Sequence, residues 1–376
     1  MGDRDTLKPA NEPNSTTWSA PRASRNGLPR PGHPRFERDA VPLAGEDRVK
    51  LQSLQDSIAA DLRAFEVEYE RLLSGELALV TEICNHLKQG RGKRFRPTLL
   101  LAVAKHQDAV DREAVFAAAC VELVHTATLI HDDFIDEAET RRNLPSINAR
   151  WGASAALIMG DFLYSKVFAL LTAQARHEEL AILARTTHSM SIAEALQLER
   201  NARLDMSEED YLTVIQRKTA SLIEAACEMG ALCNPELVEH RGILAQYGRT
   251  VGMAFQITDD IFDYSGDDQR LGKPVGGDWR EGRITLPFIA AWGNASPADR
   301  DRLQRVTFEA DGNPAAQAAA WPEVRSFVQR HGGVDYAFEM AQSFGRRAKE
   351  LASQLGSVPQ RDVLTSAADY VLVRLN

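Results

Sequence analysis

From Val49 onward, apolar residues recur at three- and four-residue spacing almost without a break, and no stretch of useful length alternates apolar with polar. That periodicity restricts the chain to an all-α fold. Leu51, Leu54, Ile58, Leu62 and Phe65 mark an amphipathic first helix. The spacing predicts further helices at about 76–89, 96–107, 111–137, 153–176, 178–204, 208–232 and 235–264. Ser207 with Asp210 resembles a capping signature ahead of one of them. Residues 265–287 are glycine-rich and charged and read as a long ordered loop, a type that is usually functional when it occurs inside a compact domain. Helices follow at about 284–293, 299–308, 322–331, 334–355 and 359–374. Long helices with short connections imply one bundle of ten or more helices over residues 46–376.

Residues 1–45 are rich in Pro, Arg, Ser and Asn and show no periodicity, so they read as a disordered tail that buries too little to offset its ordering entropy. A transit peptide is the alternative, and Asp3, Asp5, Glu12, Glu37 and Asp39 argue against it. The net charge of −9 over 376 residues shows no compensating basic patch beyond that tail, which disfavours a nucleic-acid partner. Cys84, Cys120, Cys227 and Cys233 form no C-x-x-C pair and read as small core residues. No uninterrupted run of about 18 apolar residues is present, so no integral membrane segment is expected, and the cytoplasm is the expected compartment.

The chemistry concentrates in VELVHTATLIHDDFIDEAETRRN, residues 121–143. Asp132 and Asp136 lie four apart, on one helix face and about 6 Å apart along the axis. Carboxylates on adjacent turns grip hard cations such as Mg²⁺. A second group, Asp259, Asp260 and Asp263 in QITDDIFDY, repeats the pattern. One such motif is weak evidence, because most acidic pairs are solvated faces; two, each after an apolar run, are stronger. If the helices face each other, up to six carboxylates (Asp133 included) converge, which is unfavourable unless cations fill the space. Lys93, Arg94 and Arg96 before one helix, Arg141 and Arg142 after the first motif, Lys218 with Thr219, and Lys273 in the glycine-rich loop are each ordinary surface groups taken singly. Together with two acidic sites they form a set able to hold two diphosphates.

GKRFRP, HTATLIHDDFIDEAETRR, GDFLYSKVF, QRKTASL, GRTVGMAFQITDDIFDY, LGKPVGGD and EGRITLPF stand in this order across about residues 90–290. In this the chain resembles the trans-isoprenyl diphosphate synthases (polyprenyl synthetase family), and within them the bacterial long-chain, octaprenyl-like group. The resemblance implies an isoprenoid synthase-type bundle around a deep central cavity, as a homodimer. It implies that Asp132 and Asp136 hold two Mg²⁺ and Asp259 a third, with Asp133, Asp260, Asp263 and Lys218 completing the catalytic set. Arg141, Lys218, Thr219, Gln256 and Lys273 would bind an allylic diphosphate (farnesyl or geranylgeranyl), and Lys93, Arg96, His125 and Arg142 isopentenyl diphosphate. The implied reaction is Mg-dependent head-to-tail condensation of the two. Val124, Ala127 and Thr128, before the first motif, would set product length; short-chain members carry aromatic blockers there, so small residues imply a long product. Geranylgeranyl synthesis is the alternative, as is packing of Ala127 against a neighbouring helix with the floor elsewhere.

The chain departs from the family pattern at Asn143, Ser146 and Arg283, and it lacks a carboxylate three residues after Gln197. Three rival readings remain. A non-catalytic subunit of a heteromeric synthase would be expected to lose an aspartate motif. A class I terpene cyclase would replace the second one and have no need of GKRFRP. A helical scaffold would leave the matching cations unexplained.

Overall fold

The computed structural model describes residues 46–90, 92–106, 110–200, 204, 206–265, 275–308 and 314–373. The tail expected over residues 1–45 and the expected ligand Lys273 lie outside them. Helices α1 (Glu46–Asp56), α2 (Ala59–Leu72), α3 (Ala78–Gln89) and α4 (Phe95–Ala104) lead into α5 (Arg112–Ile135). Then come α6 (Ile147–Trp151), α7 (Ala153–Ala173), α8 (His177–Arg200), α9 (Glu208–Ile215), α10 (Ser221–Leu232) and α11 (Arg241–Ser265). The short α12 (Gly277–Arg280) precedes α13 (Leu286–Asn294), α14 (Pro297–Phe308), α15 (Pro314–Arg330), α16 (Gly333–Ser353) and α17 (Pro359–Val373). This is an all-α bundle of more than ten helices, as the periodicity requires.

Helix α5 is the axis of the core. Residues 114–124 are buried all round, the signature of a helix enclosed by others, and α2, α4, α7 and α10 pack against it. Cys84, Cys120 and Cys227 are buried free thiols and Cys233 is half-buried, in keeping with small core residues. Two helices, Arg112–Ile135 and Ala153–Ala173, are long and apolar enough by length and composition to cross a membrane, although neither is an uninterrupted apolar run. In the first, 78% of the most apolar window is buried in the bundle, so core packing accounts for it; in the second only 33% is.

The structure departs from the predicted elements where side chains redirect the backbone. The first helix breaks after Asp56, where the Ser57 hydroxyl donates to Leu54 O and the Lys105 ammonium to Ser57 O. The helix expected from 235 starts at Arg241, because buried Asn234 donates to Val103 O and Lys105 O and accepts from Glu236 N. The helix expected from 322 begins at Pro314, its Ala-rich first turns outweighing Pro322. A short antiparallel pair, Thr140–Arg141 (β1) with Leu144–Pro145 (β2), follows the first acidic motif. Arg142 and Asn143 at its tip have φ of +53° and +63°, the left-handed pair that a two-residue hairpin needs and that Asn tolerates well. Ser207 Oγ accepts from Asp210 N at 3.0 Å, the expected cap.

Helices α10 and α11, which carry Lys218's continuation and the second acidic motif, approach closely through glycines. A Cβ at Gly252 would lie 2.5 Å from Ala220 Cα, so backbone rather than a mobile side chain is in the way. Gly252→Ala is therefore expected to cost about 1–3 kcal/mol by overpacking, read as a lower denaturation midpoint in urea. An unchanged midpoint would show that the two helices separate freely.

Candidate active site

The C-terminal end of α5, the α9–α10 junction and the second half of α11 enclose a cavity of about 260 Å³. Asp132, Asp136, Arg141, Lys218, Thr219, Gln256 and Asp260 all line it, so residues from three separate sequence motifs meet at one place. Asp136 closes α5, its N–H donating to Asp132 O at 2.8 Å. Burial first, with Glu194 and Asp136 adding and Lys218 opposing, lifts the Asp132 carboxyl to about 6.

Between α9 and α10, residues Gln216–Ala220 form a π-helical turn, whose wider spacing presents the consecutive residues Lys218 and Thr219 to the cavity together. The Lys218 ammonium lies 2.6 Å from Glu194 and 3.8 Å from Asp132, and donates to Gln197 Oε1 at 3.1 Å. Arg283 enters from the segment after α12 and pairs with Asp136 at 3.1 Å and Asp278 at 3.4 Å. Arg283, one of the departures from the family pattern, is thus a guanidinium that reaches Asp136, Asp278 and Glu281.

The six motif aspartates do not converge. Asp133 is turned from the cavity and accepts from Arg141 Nε at 2.7 Å. Asp263 accepts the backbone N–H groups of Gly276, Gly277 and Asp278 at 3.0, 3.0 and 2.9 Å, tying α11 to the start of α12. Asp260 is buried and accepts from the Tyr211 hydroxyl at 2.6 Å and from Gln256 Nε2 at 2.8 Å. Gln256 Oε1 in turn accepts from the Thr219 hydroxyl at 2.7 Å. Burial, with the Asp278 charge next, holds the Asp260 carboxyl well above the usual range. Asp259 is half-buried on the same helix, and its charge acts on Arg96.

A second cationic cluster stands at the start of α4. Arg96 Nη1 donates to His125 Nε2 at 3.1 Å, which makes that nitrogen an acceptor and the imidazole neutral. Burial, together with Arg96 and Arg142, also pushes the His125 pKa well below its ordinary value. Arg96 Nε is shut away from solvent with no hydrogen-bond partner among the described residues. Arg142 donates to Gly90 O at 2.6 Å, and a side chain at Gly92 would meet its guanidinium at 2.6 Å. Lys93 is exposed. Arg94, the middle cation of GKRFRP, is bound to Glu122 at 2.7 Å and Glu66 at 2.9 Å and lies over the Tyr69 ring. It holds the loop.

Of the residues expected to govern product length, Val124 and Ala127 are closed within the hydrophobic core. Thr128 is buried, and its hydroxyl donates to His125 O at 2.7 Å. None of the three lines the cavity.

The donor set suits a hard divalent cation: Asp132 and Asp136 offer only oxygen, and Asp132 is desolvated enough to gain from a neighbouring positive charge. Among the described residues no three His, Cys, Asp or Glu groups stand close enough to enclose an ion alone.

Sequence reasoning missed Tyr211, Glu194 and Asp278 and named Arg283 only as a departure. Arg283 was visible in EGRITLPF, and Glu194 sits one turn before Gln197 on the same helical face. Tyr211 carried no signal, since its role depends on contact with a residue 49 positions away.

The polyprenyl synthetase family model matches residues 77–322. A short chain isoprenyl diphosphate synthase of Methanothermobacter thermautotrophicus is 36% identical over 77% of this chain and 88% of its own. The octaprenyl diphosphate synthase of Escherichia coli is 30% identical over 87% and 99% respectively. A polyprenyl synthase from Caulobacter crescentus, solved with calcium and isoprenyl diphosphate, superposes with a TM-score of 0.78 at 31% identity, covering 86% of this chain and 97% of that one. With two aspartate motifs and two cation clusters meeting inside a helical bundle of that form, the chain belongs to the polyprenyl synthetase family of isoprenyl diphosphate synthases.

Proposed function

We propose that this protein elongates prenyl chains, condensing isopentenyl diphosphate head-to-tail (1′–4) with farnesyl or geranylgeranyl diphosphate to give a long-chain all-trans polyprenyl diphosphate. The observation that carries this reading is the placing of two separate cationic sites at α5. One is Lys218 with Arg141 and Arg283 at the cavity; the other is Arg96 with Arg142, where the buried Arg96 Nε has no hydrogen-bond partner among the described residues. A single-diphosphate enzyme such as a terpene cyclase has no use for the second.

Asp132, Asp136 and Asp259 would hold Mg²⁺, up to three ions, which when bound supply positive charge against the departing diphosphate. Lys218 and Arg141 bind the allylic diphosphate and stabilise the charge that grows on it as the C–O bond breaks, and Lys273 is assigned to the same site. Arg96, Arg142 and Lys93 bind isopentenyl diphosphate, with neutral His125 fixing the Arg96 guanidinium by accepting from it. Asp260 and Tyr211 lock Gln256 and Thr219 in one orientation beside the reacting carbons. Leu129, Val214 and Ile215 give the cavity an apolar wall that limits water. The isopentenyl double bond attacks, and the proton it then loses goes to the released diphosphate. Residues 46–376 form the catalytic domain, and the soluble diphosphate substrates suit the cytoplasm.

Small or β-branched residues at Val124, Ala127 and Thr128 favour a long product. Geranylgeranyl synthesis is the second reading, favoured by the closure of Val124 and Ala127 into the core. With Mg²⁺, isopentenyl diphosphate and farnesyl diphosphate, the protein is expected to make a product ladder ending at a long polyprenol. Asp132→Ala should lower turnover by about 100- to 1,000-fold. A stop after one addition would give the second reading, and no incorporation with any primer would leave a non-catalytic subunit.

We further propose a homodimer through α7 and α8, which pack together and leave Leu157, Ile158, Ile192 and Leu198 exposed at 47%, 64%, 42% and 57%. Large apolar side chains left exposed on two neighbouring helices are candidates for an interaction surface. Light scattering on the eluting protein should give twice the mass of one chain, and Ile158→Asp should halve it. A wild-type monomer would rule the dimer out.

A further inference from the structure

Lys218 lines the cavity, and its nearest anion is not a motif aspartate but Glu194. Its ammonium has three N–H donors. Two are taken on the α8 side, by Glu194 at 2.6 Å and Gln197 at 3.1 Å, one helical turn apart on the same face. The third is left toward Asp132, 3.8 Å away, too far for a good hydrogen bond. Glu194 is half-buried, so its charge is poorly screened, and no other cation pairs with it among the described ion pairs. Without Glu194, Lys218 would close on Asp132, cancelling the charge of a carboxylate that the reaction needs and withdrawing its own from the diphosphate.

We propose that Glu194 is a positioning residue. It tethers the Lys218 ammonium to α8, so that one N–H faces the allylic diphosphate and Asp132 stays free for a cation. This rests on the chain-elongation reading above. Glu194 touches neither substrate and acts only through Lys218. Gln197 is the second arm of the same tether.

The test is a double-mutant cycle with steady-state kinetics. Glu194→Gln keeps the shape and a hydrogen-bond acceptor but removes the charge. It is expected to raise KM for the allylic diphosphate about tenfold and leave KM for isopentenyl diphosphate within about twofold, with an unfolding midpoint close to wild type. In a Lys218→Ala background the same change should move the allylic KM by less than about twofold, because the group it acts through is gone. An unchanged allylic KM in the single variant would overturn the proposal. So would effects that multiply in the double variant, which would make Glu194 an independent ligand. A wild-type protein that turns over no substrate pair would defeat the elongation reading itself, and the proposal with it.

Discussion

Four carboxylates, those of Asp132, Asp136, Asp260 and Asp278, line one cavity at the edge of an apolar core. Like charges in a poorly solvated space raise one another's pKa and oppose folding unless something neutralises them. They are answered in different ways. Asp136 and Asp278 share Arg283. Asp260 is capped by the Tyr211 hydroxyl and the Gln256 amide. Asp132 has no hydrogen-bonded partner of this kind among the described residues, only Lys218 at 3.8 Å, and burial lifts it to about 6. The geometry therefore leaves one carboxylate under-compensated, at the position where a bound cation would gain most.

The second cationic cluster depends on the same economy of charge with the signs reversed. Arg94, Arg96, Arg141 and Arg142 all act on His125, and the buried acid Glu122 acts against the crowding of Arg94, Arg96 and Arg142. Burial works against the charge of Arg94, but Glu122 and Glu66 more than compensate and keep its guanidinium protonated. That pairing anchors Arg94 in its left-handed backbone conformation at the start of α4 and so aims Arg96 inward. An arginine with two carboxylate partners thus holds up an arginine whose Nε has no hydrogen-bond partner among the described residues.

The fold class, the length of α5 and the identity of both acidic motifs were legible because they depend on periodicity and on residues within one helix. Asp132 and Asp136 were found for that reason. The divergence of Asp133 and Asp263 was not, because a DDxxD spacing does not say which carboxylate has an arginine beside it or a run of free backbone N–H groups within reach. The hairpin at 140–145 was invisible, since two-residue strands leave no alternation. The π turn at Gln216–Ala220 reads as continuous helix in sequence. Glu194 and Tyr211 matter only through partners on other helices, which the sequence does not name.

The central claim is that Asp132 and Asp136 present a site completed jointly by a divalent cation and an allylic diphosphate. The most direct measurement is calorimetric binding of farnesyl thiolodiphosphate, an unreactive analogue, with Mg²⁺ and then with excess chelator. The account predicts saturable binding with Mg²⁺ that weakens by about 100-fold or more without it, since the carboxylates then repel the diphosphate across a few ångströms. Equal affinity in both conditions would show that Lys218, Arg141 and Arg283 hold the diphosphate unaided, and would contradict it.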